Sequence, residues 1–268
     1  MLAAVAGEHD LLMPETLLYE LLTTERDKQI ICFSRLSTIE SSVRLLCENA
    51  ELLRFESEVG EPATPLIERC IERDISFHPD AGTTGYSFSR EQIEVIEAER
   101  ARREGTELQE LKRVCSVVSG WFPTLKALPP SPRERIQPFL DRVASDADMV
   151  RSIYGVIRQP DMPQPEMLDE RWAFFRRMQV RLVGAIEYIR RYGDRNASAT
   201  GKKIPNFFLD QEYLIPALLA DGLASGDNEL LWYYDLLAPT KQRFNKRERS
   251  IAQPPASTGR HRSAAPRG

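Results

Sequence analysis

The segment Asp210-Gln-Glu-Tyr-Leu-Ile-Pro-Ala-Leu-Leu-Ala-Asp-Gly-Leu-Ala-Ser-Gly-Asp227 reads as a helix, a very short apolar strand and a turn, with one carboxylate at each end. A helix that returns to a strand can bring two acids this far apart in sequence together in space. Acids that converge at the C-terminal edge of a sheet offer the hard oxygen donors taken by Mg²⁺ and Mn²⁺. With such a cation comes phosphodiester chemistry.

Upstream, Leu11-Leu-Met-Pro14 reads as a short buried strand, and Pro14 at a first helical position starts a helix through Leu17, Leu18, Leu21 and Leu22. Ser37-Thr-Ile-Glu40 is a capping-box pattern and predicts a helix carrying Val43, Leu46 and Cys47 on one face. Leu52-Leu-Arg-Phe55 reads as a strand, and Thr64-Pro65 as the opening of a helix through Leu66, Ile67 and Ile71. Residues 80–90, rich in Gly, Thr and Ser, predict a loop. Residues 90–119 mix Glu and Arg at helical spacing, the pattern of a solvated helix face. Ser131-Pro-Arg-Glu134 is a second capping box, with Pro in its first helical slot. Trp172, Phe175, Met178, Leu182, Ile186 and Ile189 recur at spacings of three and four, a core-facing stripe that Gly193 is placed to end. Asn196 to Lys203 is a polar loop, and the α/β pattern resumes near Asn206. After Pro239 the chain turns basic and then Pro/Ser/Ala-rich, a composition that cannot bury a core. The chain thus divides into an α/β beginning, a mostly helical middle and an α/β end.

With 268 residues, 42% hydrophobic and 28% charged, the chain has ordinary globular composition, and a net charge of −4 argues against a whole-surface polyanion binder. Cys32, Cys47, Cys70 and Cys115 show no metal-ligand spacing and predict free thiols. Three histidines leave little material for a His-based metal site or a Ser-His-Asp triad. No apolar run reaches the roughly 20 residues that span a bilayer, and the N-terminus lacks the basic region of a secretory signal. A cytoplasmic location without membrane attachment is the expectation.

Glu20, Asp210 and Asp227 are the acids to watch. Glu20 is the one polar residue in Leu17-Leu-Tyr-Glu-Leu-Leu22: either a helix-edge residue facing solvent, or a carboxylate held by a cation. Asp210 is either an N-cap or a ligand. Asp227 stands in Ser-Gly-Asp-Asn, a turn composition, with the same two readings. Asp221 reads as a helix-end residue and Tyr213 as half-buried packing. Ser225 is suited to bonding Asp227, a phosphate or its own turn.

Taken in order and in these contexts, the residues resemble the PIN-like nuclease superfamily. That family's pattern has an Asp ending the first strand, a Glu in a helix after an l-x-iP-x-x-l-x-E-l stretch, an Asp opening a late helix, and an Asp in a T/S-x-D turn after the next strand. Leu12-Met-Pro14 through Glu20-Leu21 is similar to the second element, Asp210 to the third and Ser225-Gly-Asp227 to the fourth. The likeness covers about residues 1–30 and 205–240. The first-strand Asp is absent, and Asp10 does not replace it because it precedes the strand before Glu20. Pro216 also falls within the helix expected after Asp210, where it should kink or shorten it.

The resemblance implies an α/β fold: a PIN-like three-layer parallel sheet with helices on both faces, interrupted by a large, mostly α-helical insertion. Residues 1–30 and 205–240 would form the PIN-like domain, 31–204 the helical elaboration and 241–268 a basic disordered tail. It further implies a metal-dependent ribonuclease with Glu20, Asp210 and Asp227 as catalytic and metal-ligating residues and Mg²⁺ or Mn²⁺ as cofactor, impaired because one acidic ligand is missing. Lys202, Lys203, Lys241 and Arg243 are the expected RNA contacts, although a basic tail is also simply solubilising. An antitoxin-like protein is the other expected partner. The alternative is a non-catalytic binding or regulatory protein on a degenerate PIN-like scaffold, its helical region doing the binding.

Overall fold

A computed structural model describes residues 8–71, 85, 87–127, 132–192 and 210–245. Leu11–Pro14 forms strand β1, and Pro14 ends it as the N-cap of helix α1, Glu15–Thr23, with a φ of −59° that already suits the helix. Helix α2 spans Arg26–Leu36, followed by a 3₁₀ turn, Ser37–Ser42, and strand β2, Val43–Leu46. The capping box predicted at Ser37 therefore starts no α-helix. The Ser37 and Thr38 hydroxyls instead donate back to the Ser34 and Arg35 carbonyls at 2.9 and 2.7 Å, closing α2. Val43, Leu45 and Leu46 are buried and Arg44 exposed, so this stretch serves a sheet and not a helix face.

Leu52–Phe55, read from sequence as a strand, lies inside helix α3, Asn49–Val59. Helical spacing places Leu52 and Glu56 together on the buried face, and Gly60 ends the helix at a φ of 74°, which favours glycine. The helix expected after Pro65 is only a 3₁₀ turn, Leu66–Arg69. Helix α4, Arg90–Trp121, is the long charged helix, opened by a capping box between Ser89 and Gln92. Helices α5, Gln137–Ser145, and α6, Ala147–Ile157, lead to α7, Ala173–Tyr192. After Asp210 a 3₁₀ turn, Gln211–Tyr213, runs into the short helix α8, Leu214–Leu219, in which Pro216 is buried. Strand β3, Gly222–Ser225, helix α9, Asn228–Leu237, and strand β4, Gln242–Asn245, complete the described chain. The last of these lies where the sequence suggests the start of a disordered tail. Gly193, Ser131, most of the 80–90 loop and the tail from 246 lie outside the described residues.

The expected three-layer parallel sheet does not form. Strand β1 pairs with β2 in parallel, Leu11 beside Val43 through Pro14 beside Leu46, and β3 pairs with β4 in parallel, Gly222 beside Gln242 through Ser225 beside Asn245. These are two separate two-stranded sheets, and no strand among the described residues joins β1 to β3. Nor are the middle helices an insertion beside an α/β core. Residues of α4 to α7 share the main hydrophobic cluster with those of α8 and α9, while β1 and β2 carry a smaller one around Met13, Ile39, Val43 and Leu45.

At the centre is α7, buried along residues 173–189 except at Arg177. The stripe from Phe175 to Ile189 is core, as its spacing predicts, but Arg176, Arg181 and Glu187 are buried with it. Each has partners. Arg176 donates to Gln179 at 2.8 Å and to the Glu170 carboxylate at 3.0 Å, and Arg181 pairs with Glu212. Glu187 accepts from Arg133 and Arg190, both at 2.7 Å.

The N-terminus of α7 is closed by Glu56 of α3, which accepts from the amides of Ala63 (2.9 Å), Ala173 (2.6 Å) and Phe174 (3.0 Å). Burial pushes its carboxyl up to about 7 from an ordinary 4.5, against the pull of those three amides. A raised folded value means that folding takes up a proton between the two values. The associated stabilisation is complete below 4.5 and lost as pH rises through about 7. Urea titrations across that window should show stability falling by on the order of 2–3 kcal/mol. Glu56→Gln keeps a carbonyl oxygen for two of the amides and should flatten the slope. An unchanged slope in the variant would remove Glu56 as its source.

Candidate functional site

The two sheets face one groove of about 1310 Å³, lined by β1 (Leu11–Pro14), by β3 (Gly222–Ser225) and by side chains beneath them such as Leu17, Leu46 and Leu219. The strands start at the same end of it. The His9 ring, two residues before β1, packs 5.5 Å from the Phe244 ring, and that ring lies against Gly222, the first residue of β3. A Cβ on Gly222 would meet the Gln242 carbonyl at 3.0 Å and the Phe244 ring at 3.2 Å, so a side chain here would press on β4 and glycine eases its approach.

At the other end β3 runs through Gly226 into Asp227, and β1 runs into α1, which carries Glu20. Asp227 is the N-cap of α9: its Oδ1 accepts from the amides of Glu229 (2.7 Å) and Leu230 (3.2 Å), while its own amide donates to the Ser225 hydroxyl at 3.0 Å. Asp210 makes no side-chain cap bond. Its carboxyl is half-buried, and burial first, then the Glu20, Asp227 and Glu229 carboxylates, hold it above the ordinary carboxylate range. The Tyr213 hydroxyl is pushed far above its usual value by burial and then by Glu20 and Asp210 beside it. The structure thus brings Glu20, Asp210 and Asp227 into one electrostatic neighbourhood. Asp210 and Asp227 line the groove; Glu20 adjoins it on a smaller depression that shares Leu17.

None of these three acids is in an ion pair among the described residues, whereas the acids around them are. Glu229 is held by Arg133 (2.9 Å) and Arg191, and Glu212 by Arg181 and by the Asn49 amide at 2.7 Å. Glu229 is the member of the neighbourhood that sequence reading did not pick out; an acid one turn into a helix looks like any favourable first-turn residue. Among the described residues no group of three or more His, Cys, Asp or Glu side chains is gathered as a metal-ligand set.

Of the expected RNA contacts, Lys202 and Lys203 lie outside the described residues. Lys241 donates from Nζ to the Leu218 and Ala220 carbonyls, both at 2.8 Å, and so closes the end of α8. Arg243 pairs with Asp235. Both basic residues are engaged in holding β4 to the fold. Cys32, Cys47, Cys70 and Cys115 are free thiols, and among the described residues no helix is long and apolar enough to cross a membrane. Compared with known protein families, with characterised proteins and with solved structures, the chain gave no match.

Gln211, next to Asp210, was not visible as special from sequence. It is 1% exposed, and among the described residues neither its amide nitrogen nor its carbonyl oxygen has a hydrogen-bond partner. An unpaired buried amide is destabilising, so Gln211→Met, which keeps the shape and removes both polar atoms, should raise unfolding stability by about 1–3 kcal/mol. Thermal and urea unfolding check this; a lower melting temperature would show that the amide is in fact satisfied.

Proposed function

We propose that the groove end bearing Glu20, Asp210 and Asp227 is a PIN-like, metal-dependent ribonuclease site. The observation that supports this reading is the contrast in pairing: Glu229 and Glu212 are neutralised by arginine, whereas Asp210 feels the Glu20 and Asp227 charges and none of the three is in an ion pair among the described residues. Keeping like charges together raises their proton affinity and is unfavourable unless something positive joins them. Hard oxygen donors suit Mg²⁺ or Mn²⁺, and because Mg²⁺ keeps several of its waters, one or two direct carboxylates with substrate phosphates suffice to hold it. When bound, the ion supplies an activated water and neutralises charge on the phosphate.

The chain's own residues then have separable parts. Asp227, fixed by its capping bonds, presents its carboxylate at a set position, and Ser225 holds the turn that aims it. Asp210 is raised by burial first and then by the Glu20, Asp227 and Glu229 carboxylates, and a cation beside it would offset both. A reducing, cytoplasmic setting agrees with the four free thiols. A second reading, a binding protein without catalysis, is favoured by one observation: the groove has apolar walls at Leu11, Leu12, Leu46 and Leu223.

The nuclease reading is tested on the full chain with Mn²⁺ and a single-stranded RNA. Mn²⁺ binding by calorimetry should weaken by about ten-fold in Asp210→Asn, and RNA cleavage should fall at least as far, each ten-fold being about 1.4 kcal/mol. Asp227→Asn keeps the helix cap and should lose cleavage without unfolding. Equal cleavage by the wild-type protein and both variants would sink the assignment.

A further inference from the structure

The ring of Tyr213 packs, half-buried, against the main hydrophobic cluster, as its sequence context predicts. Its hydroxyl is a separate matter. The 3₁₀ turn Gln211–Tyr213 starts directly after Asp210, and in such a turn side chains three residues apart eclipse one another. Asp210 and Tyr213 therefore stand on one side of the turn, and both line the groove. The two residues between them are committed elsewhere: Gln211 is buried, and Glu212 is held by Arg181 and Asn49.

Helix α1 brings Glu20 to the same point from the other side. After burial, Glu20 is the largest influence on Asp210, through its charge, and on the Tyr213 hydroxyl, through hydrogen bonding and charge. The hydroxyl oxygen is buried and lies close to the Glu20 carboxylate without closing a hydrogen bond of ordinary geometry to it. Glu20 is exposed, and a turn of its flexible side chain closes that bond. A phenol has one proton to donate, and a carboxylate has two oxygens to receive it. Donation to one oxygen leaves the other for a cation or its waters. Groups that hydrogen-bond a ligating carboxylate set its orientation and, through it, the affinity for the metal.

We propose that Tyr213 is a positioning residue of the metal site: its hydroxyl donates to one oxygen of Glu20 and holds the other beside Asp210 for the cation. The inference rests on the metal reading of these acids and adds the group that ties α1 to the turn before α8.

The test follows Mn²⁺ binding to the full chain by water-proton relaxation, which reads weak sites as well as tight ones. Tyr213→Phe keeps the packed ring and should leave circular dichroism unchanged, while Mn²⁺ binds about ten-fold more weakly. Tyr19→Phe removes an exposed hydroxyl one residue from Glu20 and should change nothing. On a Glu20→Ala background, which lacks the acceptor, adding Tyr213→Phe should cost less than about two-fold. Wild-type affinity in a folded Tyr213→Phe overturns the inference and leaves the metal reading standing, as does a ten-fold loss that persists with Glu20→Ala. If the wild-type chain binds no Mn²⁺, the metal reading fails and this inference fails with it.

Discussion

Arg181 reaches from the middle of α7, with none of its side chain exposed, to Glu212 two residues beyond Asp210 and toward Glu110 on α4. Two turns further along the same helix Glu187, equally buried, holds Arg133, and Arg133 in turn holds Glu229 at the start of α9. A charge buried without a partner is destabilised by several kcal/mol, so each of these contacts is obligatory once α7 is inside. The partners are spread over α4, α9 and the turn before α8. Satisfying one buried helix therefore sets where the Asp210 and Asp227 segments lie. Apolar contact supplies the bulk of the stabilisation, but it is non-directional, and the ion pairs fix register.

The parts of the fold legible in the sequence are those where one local signal has no rival. Pro14 between an apolar run and a leucine-rich helix could only separate strand from helix, and the aromatic stripe of α7 has one period. Errors arose where a pattern had two uses. Leu52–Phe55 is four residues long, too short for periodicity to separate strand from helix; Leu and Arg are good helix formers, and the pairing of Leu52 with Glu56 four residues on decided it. Ser37-Thr38 has the chemistry of a cap but its hydroxyls were taken by the preceding helix. The absence of a single sheet was not legible at all. Each four-residue strand has correct local character, and whether two pairs of strands merge depends on what lies between them, which no local pattern reports.

For the site, the acid positions were legible and their surroundings were not. Glu20, Asp210 and Asp227 could be picked out because each interrupts or bounds an apolar segment. The expectation that Lys241 and Arg243 contact RNA rests on a basic cluster near a Pro-rich end; their carbonyl and carboxylate partners in residues 218–235 are not visible in that cluster, because they are reached only by the return of β4. Glu56 directly follows Leu52–Phe55, which reads as a strand, and carries no signal of its own, although it is the residue that closes α7.

Arginine is abundant here, and its distribution is the strongest argument about the groove. Arg133 and Arg191 converge on Glu229, and Arg181 serves Glu212 and Glu110. Glu187, Glu212 and Glu229 are each neutralised by a guanidinium, whereas buried Glu56 relies on backbone amides. Asp210 lies among Glu20, Asp227 and Glu229, half-buried and raised by all three, yet no arginine or lysine pairs with it among the described residues. A purely structural carboxylate in that position would be replaced by asparagine at little cost, since it caps nothing. A cation beside Asp210, as the proposed metal site requires, would offset both its burial and the like charges around it.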